Sequence, residues 1–518
     1  MTRDEMLPTD EHNTRLLDSV HPVDWTNPEP RGTYNLVILG GGTAGLITAA
    51  VAASMGARTA LVERGLMGGD CLNVGCVPSK ALIRGARGQA QLDWLAAEGL
   101  ADAAGGVRVH FPAVMERLRR IRAGIAPHDS AARYRDEFGV DVYLGHGTFS
   151  APTAITVTGD DGSTRALHFS RAVIATGARS TAPPIPGLET TPHLTNESVF
   201  SLTERPDSLV VLGGGPIGCE LAQSFALLGT RVELVEMAPR VLPREDADGA
   251  AVVQEALTAA GVRLHLQATV DHVSGDGSTD GGSSGVEVHF TAAAGDRHTV
   301  TGERLLVAIG RSPNVEGLGL DAAGIRTHTR GIPVDDHLRT SNRRVFVAGD
   351  AATPYQFTHI AEATAAIVVQ NALFLPTARV SRLTVPWATY TAPEVAHVGL
   401  SERDAADQGV AVDVYRHAMS AVDRARIDGD TEGFVKILTR RGSSRIVGAT
   451  IVASRAGEMI AGIVLAMQNG LGIDKLAGVI HPYPTLSEAV RRAAAGYLRG
   501  RLTPRTKRIL GWWFRHRR

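Results

Sequence analysis

The chain has 518 residues, enough for roughly three domains and a large core. Its 53 lysines and arginines against 54 aspartates and glutamates leave a formal net charge of -1, without the basic excess of a nucleic-acid binder. Three cysteines, Cys71, Cys76 and Cys219, are too few for a secreted disulfide scaffold, and no stretch is long and apolar enough to span a membrane, so the expected location is the cytoplasm.

Residues 1–32 are polar, contain prolines and lack the features of a targeting signal; they read as an extension packed on the surface. YNLVILGGGTAGLITAAVAASMGARTALVER follows: an apolar strand, a glycine turn, a small-residue helix and a second strand ending at Glu63. Gly40, Gly42 and Gly45 have the spacing of a dinucleotide-binding turn. The first glycine allows the turn, the second lets backbone approach a pyrophosphate, and the third lets helix pack on strand. SLVVLGGGPIGCELAQSFALLGTRVELVEMAPR repeats the unit with Gly213, Gly215, Gly218 and Glu236. Gly45 to Glu63 and Gly218 to Glu236 are both 18 positions, a duplicated architecture that predicts two bound dinucleotides. Glu63 and Glu236 are expected to meet ribose hydroxyls. Glu236 would repel a 2′-phosphate and no cation follows until Arg240, so NADH is expected in preference to NADPH.

Between the units lies GGDCLNVGCVPSK, residues 68–80, with Cys71 and Cys76 five positions apart. On a helix that offset separates side chains by about 140°, so a bridge predicts non-helical backbone before a helix that starts near Cys76. Gly75 supplies freedom for the turn, and Pro78 suits a first helical turn. The helix N-terminus and Lys80, four residues on, both favour a Cys76 thiolate. Two buried, inert cysteines are the alternative. The apolar runs of 171–179, 305–314 and 345–352 each end in glycine beside an expected cofactor, with Gly177, Gly310 and Asp350 as candidate contacts. Asp350 is expected near a flavin's ribityl or phosphate region, or else forms a turn. GDGSTDGGSSG, 275–285, reads as a flexible hairpin tip. From about 380, strands such as FVKILT and RIVGATIV precede a helical region, which suits a separate α+β domain.

The two nucleotide units, the CxxxxC segment and the AGD segment together resemble the flavin-dependent pyridine nucleotide-disulfide oxidoreductases, from about residue 33 to 495. YTAPEVAHVGLSE resembles the start of that family's dimerisation domain, and HPYPTLSEA its C-terminal catalytic segment. The resemblance implies an α/β fold: two Rossmann-like FAD and NAD(P) domains plus a C-terminal α+β dimerisation domain, in a homodimer whose partner subunit completes each site. The implied boundaries are an N-terminal extension at 1–32, FAD at 33–195 and 301–378, NAD(P) at 196–300, the interface domain at 379–495, and a tail at 496–518. It implies Gly40, Gly42, Gly45, Glu63, Gly177 and Asp350 for FAD, and Gly213, Gly215, Gly218, Glu236 and Gly310 for NAD(P). It further implies Cys76 as the thiolate facing flavin, Cys71 as the thiol meeting substrate, Lys80 near flavin N5 and Glu220 as the acid pairing with Lys80. Cys219 reads as a packing residue.

One departure concerns the proton donor. Glutathione and dihydrolipoamide reductases place histidine directly before Pro-Thr, five residues ahead of a glutamate; here Tyr483 takes that place, with Glu488 at the expected spacing and His481 two positions early. Tyrosine, with a reference pKa near 10, is a poor base at neutral pH. Mercuric reductases have tyrosine there, and VDRARIDGDTEGFVKI, 422–437, also resembles their interface domain. Tyr483 could instead be structural, shaping a cis turn. No cysteine follows Cys219, so the vicinal C-terminal pair of mercuric reductases is missing. The chain ends RTKRILGWWFRHRR, a basic segment that reads as a surface or dimer-packing helix, or as a weak contact with an anionic membrane through 505–518.

The expected activity is therefore FAD-dependent NAD(P)H oxidation coupled to reduction of a small thiol-reactive electrophile, either Hg(II) held by Cys71 and Cys76 or a low-molecular-weight disulfide. No structural metal is expected. Alternatives are a dihydrolipoamide- or glutathione-type disulfide reductase, a membrane-associated quinone reductase, and a redox-sensing flavoprotein without turnover.

Overall fold

A computed structural model of the chain describes residues 2–101, 108–275, 285–328 and 331–517. The first nucleotide unit places strand Thr33–Leu39, helix Thr43–Ser54 and strand Thr59–Glu63 in succession, with the two strands parallel. Asp141–Leu144 extends the sheet beyond Thr59–Glu63, and Thr164–Ile174 flanks Thr33–Leu39 on the other side. Val345–Val347 returns to pair with Thr164–Ile174, and an antiparallel pair completes seven strands. The first three strands carry continuous apolar runs because both sheet faces are covered.

The second unit is a parallel sheet in the order Arg263–His265, Arg231–Val235, Ser208–Leu212, Arg304–Val307. A three-stranded antiparallel sheet, Thr269–Ser274, Val286–Thr291 and Arg297–Gly302, packs beside it. Of the expected hairpin tip, 276–284 lies outside the described residues. The expected boundaries of 196 and 300 are corrected on both sides. Strand Arg304–Val307 covers the otherwise open edge of Ser208–Leu212, and Leu188 is buried with Val210, Val273 and Phe290 in the same core. Leu194 is locked to that last strand by Leu194 N to Leu305 O at 2.7 Å and Val307 N to Leu194 O at 2.8 Å. The chain enters and leaves this unit through Ala178–Ser180 and Arg311–Pro313, which pair antiparallel, and Thr181 N donates to Gly310 O at 3.0 Å.

The C-terminal domain is a five-stranded antiparallel sheet in the order Pro386–Thr389, Glu394–Gly399, Ile446–Ala453, Phe434–Arg440, Val412–Ala418, covered by helices that include Glu488–Gly500. Lys436 on this sheet is buried, and its ammonium meets Asp246 at 3.0 Å, Asp248 at 2.8 Å and Glu402 at 2.5 Å. A buried cation requires such compensation, and two of these carboxylates belong to the second nucleotide unit, so the ion cluster fastens that unit to the sheet.

The N-terminal extension is also corrected: it is part of the core. Helix Glu11–Val20, capped by the Asp10 side chain, buries Leu16, Leu17 and Val20 with Met6 in the cluster that includes the first nucleotide unit. Arg122, 1% exposed on helix Phe111–Ile125, donates to Asn13 Oδ1 at 2.6 Å and to Asn73 O at 2.5 Å. Asn73 lies between the two cysteines, so one buried guanidinium joins the extension to the CxxxxC segment.

Candidate active site

The two glycine turns have matching geometry. Gly40 and Gly213 sit at φ +107° and +103°, and a Cβ there would fall 2.3 Å from Ala175 O and 2.6 Å from Ala308 O. A Cβ at Gly45 or Gly218 would fall 1.8 or 1.9 Å from the carbonyl oxygen of the first glycine of its turn. The second glycines behave differently: a Cβ at Gly215 would meet no protein atom within 4 Å, and at Gly42 only Gly69 Cα at 3.6 Å. Protein packing therefore does not explain the second glycine of either turn, whereas a phosphate approaching the backbone does. Both turns lead into helices capped by glycine without a side-chain acceptor, leaving amide donors and the positive dipole end for that phosphate.

Glu63 accepts from Gly41 N at 2.5 Å and Gly65 N at 2.6 Å, while Glu236 accepts from Gly214 N at 2.5 Å and Ala238 N at 2.7 Å. Each carboxylate is fixed at its strand end and keeps lone pairs for ribose hydroxyls. One cavity of about 2240 Å³ runs past both turns, both cysteines, Gly177, Gly310 and Asp350. Its glycine-lined ends and extent fit two dinucleotides.

Cys71 lies on a short helix, Gly69–Asn73, where non-helical backbone was expected; the break falls at Val74 and Gly75 instead. Gly75 is required by closeness, since a Cβ there would be 2.7 Å from Asp70 O. Cys76 then opens the long helix Cys76–Ala97, with its free thiol 3.3 Å from Thr358 Oγ1. A hydrogen bond from Cys71, together with Thr358 and the Lys80 charge, outweighs burial and brings the Cys76 thiol down to about 6. Donating that bond, and burial, push the Cys71 thiol up. The pair thus divides into a thiolate at Cys76 and a thiol at Cys71.

Lys80 Nζ is 2.9 Å from Glu220 Oε2, bridging the long helix to helix Pro216–Leu227 of the second unit. The same ammonium stands 4.4 Å from the Tyr390 ring centre, and Tyr390 N donates to the other Glu220 oxygen at 2.8 Å. Cys219, next in sequence, is fully buried, its thiol directed to Gly214 O at 3.2 Å. Asp350 faces Arg311 at 3.5 Å, and Arg311 also grips Asp70. Burial raises the Asp350 carboxyl to about 6 against the opposing pull of Arg311. Thr358, Tyr390 and Arg311 were not anticipated. Arg311 directly follows Gly310, and Tyr390 opens the segment resembling the dimerisation domain, but only the folded chain shows what they touch.

Within one chain, Tyr483 and Glu488 do not line this cavity among the described residues. Tyr483 is 69% exposed, precedes Pro484 through a cis peptide, and its phenol donates to Asp423 at 3.1 Å. A tyrosine with its ordinary value is already protonated at neutral pH, and that bond raises the phenol further. Glu488 is buried and turned toward Arg491 and Arg492, each at 3.0 Å.

The pyridine nucleotide-disulphide oxidoreductase family model matches residues 34–367, and the dimerisation-domain model of the same family matches 385–494. The chain belongs to this family. It is an FAD-dependent pyridine nucleotide-disulfide oxidoreductase whose C-terminal domain is the dimerisation domain, which fits a homodimer. The mercuric reductase of Streptomyces lividans is 34% identical over 471 residues, covering 89% of this chain and 95% of that one. A dihydrolipoyl dehydrogenase of Trypanosoma brucei brucei is 34% identical over 468 residues, covering 89% and 95%. Among solved structures, the Cu(II) complex of the HOCl-induced flavoprotein disulfide reductase RclA of Escherichia coli superposes with a TM-score of 0.79 at 28% identity, covering 90% of this oxidoreductase and 99% of that chain. LpdA of Mycobacterium tuberculosis gives 0.79 at 30% identity, covering 89% and 99%.

Proposed function

We propose that this oxidoreductase oxidises NADH to reduce a soft, thiol-reactive electrophile at Cys71 and Cys76, with Hg(II) the favoured substrate. Bound FAD supplies the two-electron chemistry that links the nicotinamide to the cysteine pair. Gly40, Gly42, Gly45, Glu63, Gly177 and Asp350 hold FAD in this reading, and Gly213, Gly215, Gly218, Glu236 and Gly310 hold NAD(H). Lys80, fixed by Glu220, places positive charge beside the Cys76 thiolate. Cys71 receives the substrate. The net reaction with mercury is NADH and Hg(II) giving NAD⁺, H⁺ and Hg(0).

The carrying observation is the combination of a thiolate-thiol pair with a protonated phenol at Tyr483 where disulfide reductases place an imidazole. Capture of a soft cation by two sulfur ligands needs no base to protonate a departing thiol. Disulfide exchange does need that proton unless the leaving thiol is itself stable as an anion. In the homodimer, Tyr483 and Glu488 of the partner subunit would stand on the substrate side of Cys71. The mercuric reductase relatives and the Cu(II)-bound RclA support a metal substrate. The dihydrolipoyl dehydrogenase relatives favour a small disulfide as the second reading.

NADH oxidation by the purified dimer, followed with Hg(II), glutathione disulfide, lipoamide and other small disulfides, separates the two readings. Faster turnover with Hg(II) is expected, and Tyr483→His should raise turnover of simple disulfides about tenfold or more by restoring a neutral-pH proton carrier. Higher wild-type turnover with a disulfide than with Hg(II) overturns the metal reading. No gain in the variant shows that Tyr483 does not occupy the place of the family base.

Coenzyme choice follows from the second turn. Glu236 is held by two backbone amides, and the Arg240 guanidinium is committed to Pro243 O at 3.1 Å and Glu245 O at 3.0 Å. A 2′-phosphate would meet the Glu236 carboxylate, while Arg240, which lines the same cavity, already has one guanidinium nitrogen bonded to the Pro243 and Glu245 carbonyls. kcat/KM is expected to be about tenfold or more higher with NADH than with NADPH. An equal or higher value with NADPH rejects this preference and directs attention to Arg244, whose exposed side chain lines the same cavity.

A further inference from the structure

The last helix, Pro504–Arg515, has no buried residue. Its own ends define it: Pro504 occupies the first position, and the Thr503 hydroxyl accepts from Thr506 N at 3.2 Å. At 100° per residue, Ile509, Leu510 and Trp513 share one face, with Trp512 and Phe514 on its flanks. Arg508 and Arg515 lie opposite, and Arg505 and Lys507 stand at the borders. Ile509 is 58% exposed, Trp512 54% and Phe514 59%. From Pro504 to Arg518 there are six cations, Arg505, Lys507, Arg508, Arg515, Arg517 and Arg518, and no acid.

Apolar side chains this large, exposed together, mark an interaction surface. The charge decides the partner. A second copy of this helix docking on the same face would bring like cations together, whereas an anionic surface neutralises them. Among the described residues no helix is long and apolar enough to cross a membrane, and twelve residues with this charge can only lie flat.

We propose that Pro504–Arg515 is a docking helix for anionic phospholipid bilayers, laying Ile509, Leu510 and Trp513 among the upper acyl chains while Arg505 and Lys507, at the borders of that face, bind lipid phosphates. The inference is independent of which acceptor the cysteines reduce. Full-length FAD-loaded dimer is sedimented with vesicles of phosphatidylcholine alone or mixed with phosphatidylglycerol, at low and high salt. Co-sedimentation is expected with the phosphatidylglycerol vesicles and is expected to fall with salt. Arg505→Gln/Lys507→Gln should lower the partition coefficient about thirtyfold, since each cation near such a surface contributes about a fivefold factor. Trp512→Ala/Trp513→Ala should lower it by a similar factor with FAD content and NADH oxidation unchanged. Equal partitioning onto both vesicle types, or unchanged partitioning in both variants, overturns the proposal. So does a Trp513-dependent rise in oligomer mass without vesicle binding, or preferential binding to nucleic acid or inorganic phosphate alone.

Discussion

Cys76→Ser is expected to lower NADH-driven reduction of Hg(II) and of disulfides by ~10³-fold or more while the protein still purifies with FAD. The reasoning rests on what sulfur does at this position. Cys76 starts a helix, receives a hydrogen bond from Cys71 and faces the Lys80 charge, so its thiol is held at about 6. A serine hydroxyl in the same place cannot ionise near neutrality, cannot form a disulfide and is a poor ligand for a soft metal. Turnover with a thiol-reactive acceptor should accordingly decline as pH falls through about 6, because protonation removes the thiolate. The thiolate fraction is half at that value and nine-tenths roughly one pH unit above it, so the profile should level off there until another group titrates. Alkylation of the reduced enzyme by iodoacetamide reads the thiolate directly, and in Lys80→Met its inflection should move to higher pH. Wild-type turnover in Cys76→Ser, or an alkylation profile insensitive to Lys80, would sink this account of the pair.

Removal of residues 1–22 is expected to destabilise the protein by ~5 kcal/mol or more, a loss far beyond that of trimming a surface tail. Leu16 and Val20 are fully buried, and Leu17 and Met6 nearly so. Their loss opens a cavity under the first nucleotide unit, and Leu16→Ala alone should cost ~3 kcal/mol. The truncation also leaves Arg122 buried without Asn13, so the cation that holds Asn73 O between the cysteines loses half its support. Urea unfolding followed by circular dichroism measures the first effect. FAD release on dilution measures the second, because Gly69 packs against Gly42 at the phosphate turn. A truncated protein with wild-type midpoint and full FAD would show that the extension is an ornament after all.

The nucleotide units were legible because strand periodicity, three spaced glycines and a terminal carboxylate all act locally, within about thirty residues. The Lys80 to Glu220 pair was reachable only through family resemblance, since 2.9 Å in space separates residues of two different units. The ends of the second unit escaped because strand pairing decides them: Arg304–Val307 belongs where Ser208–Leu212 needs a neighbour, and nothing in its own residues says so. The extension misled for another reason. Its few apolar side chains sit in a polar sequence, and only the fold shows that Leu16, Leu17 and Val20 face one way. Arg122 carried no signal, because a buried arginine and a solvated one look alike in sequence. Tyr483 was noticed by its place in the chain, yet its hydrogen bond to Asp423 comes from the start of a distant helix, Asp423–Asp428.

The paired crossings Ala178–Ser180 and Arg311–Pro313 have an engineering consequence. Because Thr181 and Gly310 are themselves hydrogen-bonded, the start and finish of the second unit lie side by side, like the two contacts of a plug. A segment with adjacent ends can be lifted out and replaced without stretching the host. An exchange cut at 181 and 310 would therefore leave the host chain unstretched, and the incoming segment would have to carry its own partners for Lys80 and Lys436.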